Sequence, residues 1–262
     1  MVKIVTYNVN GIRAAISKGF YQWLEIQHPD VICIQETKAS AGQVDTSMLE
    51  RLGYRHYWFS AEKPGYSGVA VFTRIAPENV VTGCDNPLYD REGRFIRLDF
   101  KGFSVCSVYH PSGTTGEERQ AFKMQWLSYF SAYIEKLKQE IPNLVLCGDY
   151  NICREAIDIH DPVSNKNSSG FLPEEREWFA SFISSGLADS FRLLNPDPHH
   201  YTWWSYRANA RARNKGWRID YIMLTEALVP RLKAAQILPD AMHSDHCPMY
   251  VLMDLEEESM VP

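Results

Sequence analysis

The chain has 262 residues, with 27 Lys and Arg against 32 Asp and Glu, giving a formal net charge of −5. Its 45% hydrophobic and 13% aromatic content can fill a sizeable core, which excludes a disordered or low-complexity protein. The acidic balance also argues against an indiscriminate coat for nucleic acid, which needs a basic surface.

The first apolar run, residues 2–7, is β-branched and aromatic and reads as a strand leading into Asn8-Val9-Asn10-Gly11. Val31–Gln35 is the second and opens into Glu36-Thr37-Lys38. Strands over 54–59, 69–73, 95–100 and 103–109 follow, the last passing into His110-Pro111-Ser112-Gly113. Phe122, Trp126, Tyr129, Phe130, Tyr133 and Leu137 then share one helical face, with Pro142 just beyond its end. Residues 144–147 form a strand that opens into Gly148-Asp149-Tyr150-Asn151. Trp178, Phe179, Phe182 and Ile183 mark a second helix, bounded by Pro173 and by Gly186 at a C′ position. Strands over 201–204, 219–224 and 249–253 complete the set, and Ser244-Asp245-His246-Cys247-Pro248 precedes the last.

Several of these runs are continuous rather than alternating, which predicts burial on both faces. No linker, repeat or compositional break interrupts the chain, so one α/β domain over residues 1–262 is expected, with helices covering packed sheets. The six cysteines form no C-x-x-C pair, and Cys33, Cys106 and Cys147 lie in apolar runs, as reduced, packed thiols do. No stretch resembles a signal peptide or approaches the roughly 20 apolar residues of a membrane span. A soluble, intracellular, cytoplasmic protein with no membrane partner is expected.

Strand ends are where a sheet presents rigidly held functional groups. Taken singly, each group has an ordinary reading. Glu36 is a turn or cap residue, Asn8 and Asn10 are turn-formers before Gly11, His110 belongs to a turn, and His246 is a satisfied half-buried histidine. Asp220 differs, because a carboxylate inside a strand needs a partner, and an imidazole is a natural one. Taken together, Glu36, Asp149 and Asp245 offer oxygen ligands, with Asn8, Asn10 and Asn151 as amide neighbours. Hard donors without cysteine suit Mg²⁺ or Mn²⁺. A carboxylate-held metal beside a His–Asp pair suits phosphodiester hydrolysis. No G-x-S-x-G elbow and no P-loop is present.

The blocks from Thr6 to Arg13, Ile34 to Lys38, Gly148 to Asn151, Trp217 to Tyr221 and Ser244 to Pro248 together resemble the exonuclease III family of apurinic/apyrimidinic endonucleases. That family lies within the endonuclease/exonuclease/phosphatase superfamily. Narrower stretches at 169–176, 187–192 and 209–220 are similar to its DNA-repair members. The resemblance implies a four-layer α/β sandwich, two packed, mainly antiparallel or mixed β-sheets flanked by helices. It also implies Mg²⁺-dependent cleavage, with Mn²⁺ as a substitute, on the 5′ side of abasic sites in duplex DNA. Accessory 3′→5′ exonuclease and 3′-end cleaning, and a monomeric enzyme, come with it.

Carried over position by position, the resemblance makes Glu36 the principal metal ligand. Asn8, Asn10, Asn151, Asp149, Asp245 and His246 belong to the metal cluster. Asp149 orients or activates water, Asn151 contacts the phosphate, and His246 pairs with Asp220 and faces the scissile phosphate. Tyr109 also contacts the phosphate. Trp203, Trp217 and Ile219 wall a pocket for the base-less sugar, while Arg13 and Arg207, with Lys38 and Lys63, extend the phosphate track. Three departures are evident. Ser112 replaces an amide side chain, Arg207-Ala208 replaces bulky apolar residues, and Asn167-Ser168-Ser169 stands in place of an Asn-Ala-Gly pattern.

One segment runs against the overall charge. Residues 201–218 hold five basic and five aromatic side chains and no acid, leaving the remainder markedly acidic. Basic groups neutralise phosphates and aromatic faces bound a flipped-out sugar or base, so this island predicts a salt-sensitive DNA-binding face.

Overall fold

The computed structural model describes residues 1–255, so residues 256–262 of the expected domain lie outside the described residues. Its strands divide between two six-stranded sheets. The first contains β1 (Val2–Asn8), β2 (Val31–Gln35), β3 (Arg55–Phe59), β4 (Val69–Thr73), β11 (Leu232–Ile237) and β12 (Met249–Met253), in the order β11-β12-β1-β2-β4-β3. The second contains β5 (Asn79–Thr82), β6 (Phe95–Phe100), β7 (Phe103–Tyr109), β8 (Leu144–Asp149), β9 (Leu187–Asp189) and β10 (Asp220–Thr225), in the order β5-β6-β7-β8-β10-β9. Each sheet is mixed, with one central parallel pair, β1 with β2 and β7 with β8.

The continuous apolar runs serve two layers at once. Ile4 and Cys33 face the opposite sheet, where they meet Val105, Val145, Cys147 and Ile222. Their chain neighbours Val5, Ile32 and Ile34 face outward beneath α1 (Ile12–Ser17), α2 (Phe20–Gln27) and α3 (Ser47–Arg51), packing with Ile12, Phe20, Leu24 and Leu49. After the short α4 (Pro87–Asp90), α5 (Glu117–Glu140) and α6 (Pro173–Ser184) cover the other sheet through Trp126, Phe130, Phe179 and Phe182. The result is the expected four-layer sandwich. All six cysteines are free and buried. Among the described residues no helix is long and apolar enough to cross a membrane.

Strands β2, β4, β6, β7 and β12 have the bounds read from the sequence, and β1 and β8 run on to include Asn8 and Asp149. The expected strand over 201–204 does not form. Trp203 instead makes isolated bridges to Trp217 and His246. The rings explain the difference: Tyr201 and Trp204 pack with Ala210 and Cys247, whereas Trp203 packs in a separate cluster with Trp217 and Ile219. Three strands, β5, β9 and β11, were not evident in the sequence. Each lies at a sheet edge, where a single neighbour relaxes the demand for apolar residues.

Candidate active site

The parallel pairs bring the C-terminal ends of β1, β2, β7 and β8 to one edge of the sandwich, where the start of β10 and the loop before β12 join them. Asn8 closes the seam between the sheets, its Nδ2 donating to Asp149 Oδ2 at 2.8 Å. Its Oδ1 accepts from Asn10 N at 2.9 Å. Asn8 is wholly buried with both ends of its amide engaged, so it acts on the cluster by holding Asp149 and Asn10. Asn10 Nδ2 in turn donates to Asp245 Oδ1 at 2.9 Å, and Trp203 Nε1 donates to Asp245 Oδ2 at 3.0 Å.

On the other side, Asn151 N donates to Asp149 Oδ1 at 2.8 Å, and Asn151 Nδ2 donates to the His110 carbonyl at 2.9 Å. His246 Nδ1 stands 2.9 Å from Asp220 Oδ2, and its Nε2 lies 3.9 Å from Asp149 Oδ2. The strand-embedded Asp220 therefore has the imidazole partner that its position demanded. Thr202 Oγ1 accepts from the main-chain N–H of both Ile219 and Asp220, which fixes the start of β10.

Asn10, Glu36, Lys38 and Asn151 all adopt left-handed backbone, with φ of 46°, 58°, 51° and 51°. Such conformations are uncommon for Glu and Lys and persist only where the surroundings hold them. Here the main chain does so: Gly11 N donates to Glu36 O, and Lys38 N to Ser67 O, both at 2.8 Å.

Electrostatics divide the acids from the base. Burial, followed by the nearby Asp220 charge, pushes Asp149 up to about 7. Burial alone would lower His246, but the charges and hydrogen bond of Asp220, with Asp149 and Asp245, raise it to about 10. Burial would likewise raise Asp245, yet His246 and the donors Asn10 and Trp203 hold it below the ordinary carboxylate range. Tyr109 is pushed up by burial and by the Glu36 and Asp149 charges, so its hydroxyl keeps its proton.

These groups border a cavity of about 270 Å³ whose lining combines Asn10, Glu36, Tyr109, Asp149, Asn151, Asp245 and His246 with Gly170, Trp203, Trp217 and Ile219. Ligand-type atoms of Asp149, Asp220 and His246 lie within 4.8 Å of one another, so the site can hold a metal ion. The oxygen set at the mouth also fits a cation. The Lys38 ammonium sits 3.0 Å from Glu36 Oε1 and 2.5 Å from Asn10 Oδ1, drawn to the notch between them.

A family model described as the Endonuclease/Exonuclease/phosphatase family matches residues 5–246. The chain belongs to this family. An exodeoxyribonuclease of Bacillus subtilis (strain 168), a relative, is 43% identical over 256 residues, covering 97% of this chain and all of the relative. A DNA-(apurinic or apyrimidinic site) endonuclease of Dictyostelium discoideum is 36% identical over 258 residues, covering 97% of this chain and 71% of that protein. Among solved structures, an AP endonuclease from Archaeoglobus fulgidus superposes with a TM-score of 0.89 at 32% identity, covering 97% of this chain and all of that one. A 3′ phosphatase from Neisseria, bound to a product DNA hairpin, gives 0.88 at 28% identity, covering 97% and 100%.

For this member of the Endonuclease/Exonuclease/phosphatase family, the basic island needs correction. Arg218 is fully buried, paired with Asp158 at 2.8 Å and Asp189 at 2.7 Å, and does not face solvent. Arg211 donates to the carbonyls of Pro239, Ala241 and Ser244 and lies over the Trp204 ring. Trp204 is itself buried. Arg207, Arg213 and Lys215 are the exposed cations of the segment. Arg13, on α1, and Arg207 are both exposed and neither borders the cavity. Lys63 sits over the Tyr66 ring, 5.4 Å from its centre.

Several contributors were not singled out as site residues from the sequence. Arg94 is buried behind Tyr109, donating to its carbonyl at 2.8 Å with the guanidinium 5.0 Å from its ring centre. Thr202 is an ordinary β-former by type, and only the register of β10 shows what its hydroxyl holds. Gly170 has φ +95°, and an added Cβ would stand 2.9 Å from Trp217 Cζ3 and 3.1 Å from Asn151 O.

Proposed function

We propose that this protein is an Mg²⁺-dependent DNA-repair nuclease, a single catalytic domain over residues 1–262 acting as an intracellular monomer. It cleaves the phosphodiester 5′ to abasic sites in duplex DNA and has accessory 3′→5′ exonuclease and 3′-end cleaning activity. One observation carries the reading: an apolar wall of Trp203, Trp217, Ile219 and Gly170 shares a cavity of about 270 Å³ with the carboxylate cluster. Those rings offer apolar contact to a base-less deoxyribose beside the phosphate seat, and the missing base is the feature this reading takes as recognised. The names of the relatives, an exodeoxyribonuclease and an apurinic or apyrimidinic site endonuclease, support the same substrate class.

Glu36 is the principal residue to hold the ion, with Asn10 and Asp245 beside it. When bound, Mg²⁺, or Mn²⁺ in its place, supplies positive charge at the phosphate and the leaving oxygen. Asp149, raised towards neutrality and aligned by Asn8 and Asn151, orients water and takes its proton as the oxygen bonds to phosphorus. His246, kept protonated by Asp220, presents Nε2–H to a phosphoryl oxygen. The hydroxyl of Tyr109 donates to the same group, and Asn151, its amide nitrogen held by the His110 carbonyl, contacts the phosphate side of the site. The P–O3′ bond breaks, the phosphate stays on the 5′ side of the abasic sugar, and the departing 3′ oxygen takes a proton from solvent water to become a hydroxyl.

The test is a duplex carrying one tetrahydrofuran abasic analogue, incubated with Mg²⁺ or with EDTA, beside an intact duplex and a 3′-recessed end. Metal-dependent incision 5′ to the analogue is expected. Absence of incision in Mg²⁺ and Mn²⁺, or full activity in Asp149→Asn, would overturn the reading.

A further inference from the structure

A buried ion pair behind the pocket is left unused by the chemistry above. Lys123 on α5 and Glu175 on α6 are both 0% exposed, with Nζ and Oε1 2.5 Å apart. Burying two charges is costly, and apolar replacements often serve stability as well, so packing alone does not account for the pair. Its other hydrogen bonds give it a role. Lys123 Nζ donates to the Asn151 carbonyl at 2.9 Å. Glu175 Oε2 accepts from Gly170 N at 2.6 Å and from Leu172 N at 3.0 Å. Asn151 and Gly170 are neighbours in the cavity lining, one at the phosphate side and one at the apolar wall.

We propose that Lys123 and Glu175 are positioning residues that clamp the left-handed backbone of Asn151 to the Gly170 wall. The pair thereby fixes the alignment between the phosphate seat and the sugar pocket. This rests on the nuclease reading above for its catalytic consequence, but the clamp itself is a statement about two backbone segments. A misalignment near 1 Å at such a site costs up to about 100-fold in rate.

The decisive variant is the double replacement Lys123→Met with Glu175→Gln, which leaves no buried charge unpaired. It is expected to stay folded and to lose about 30-fold in kcat on the abasic duplex with KM little changed. Lys123→Arg, which keeps the charge and both acceptors, should recover part of that rate. A folded double variant with wild-type kcat overturns the proposal. Hydrogen exchange on the same proteins reads the clamp without turnover. Faster exchange over residues 150–153 and 168–172, with β7 and β8 unchanged, is expected, and unaltered exchange there overturns it. If the wild-type protein does not incise, the nuclease reading falls, while the exchange result still decides the clamp.

Discussion

Asp149 meets three demands at one carboxylate: an amide from each side, an imidazole 3.9 Å away, and almost no contact with water. The hydrogen bonds aim it, and burial with the nearby Asp220 charge raises it to about 7, as the proposed role of base requires. Asp149→Asn keeps the shape and removes the base, so incision is expected to fall about 10²- to 10⁴-fold with thermal stability retained. Initial rates on the abasic duplex beside a thermal melt check this. His246 is raised to about 10, so in EDTA its protonation stabilises the fold fully below about pH 6.5 and is lost as pH rises through about 10. Asp220→Asn removes the largest raising cause. The imidazole should then titrate well below its wild-type value by NMR, and less stability should be lost between pH 6.5 and 10. Gly170→Ala puts a methyl against Trp217 and a side chain on a φ of +95°. The strain costs about 1–3 kcal/mol, and weaker capture of the tetrahydrofuran duplex should accompany it in a binding titration.

At the scale of elements, the segment from Tyr201 to Arg218 shows why a charge count is not a surface. Arg218 and Arg192 converge on Asp158, and Arg218 also pairs with Asp189 on the cap of α7 (Ser190–Leu194). Burial by itself would raise Asp158, but the two guanidiniums outweigh it and hold the carboxyl below its ordinary range. Its stabilisation is therefore present above about pH 3.9 and lost as pH falls through the depressed folded value. Arg218→Met leaves two buried carboxylates short of a partner. A loss of about 3–5 kcal/mol and acid unfolding at higher pH are expected from denaturant and pH melts. Arg213→Ala or Lys215→Ala should leave the melts unchanged. If those side chains meet phosphates, each should flatten the salt dependence of DNA binding by about one in log–log slope.

Across the whole molecule, the four layers were legible because several strand runs are continuously apolar, as a strand covered on both faces needs to be. The site was legible because its acids and amides stand at the ends of those runs, and Asp220 because a strand-borne carboxylate demands a partner. The edge strands β5, β9 and β11 were not, since they are short or broken by Asn, Lys and Gln, whereas the edge strand β3 announces itself by Tyr57, Trp58 and Phe59. Nor were the burial of Arg218, the carbonyl contacts of Arg211 or the Lys123–Glu175 pair. A cation's partner tens of residues away leaves no local pattern.

The bond between Asn8 and Asp149 joins sheets drawn from different parts of the chain. The first sheet needs both the opening strands and β11 and β12, while the second is made from the middle. Asp245 and His246 arrive just before β12, which pairs with β1 across nearly the full length of the sequence. The pairing of β10 with β8 sets the Ile219 wall beside Asp149, but Asp245 and His246 join them only with the segment that leads into β12. Completing the acid cluster and closing the first sheet are thus one event, because the strand that seals β1 is the strand that carries Asp245 and His246 to the site.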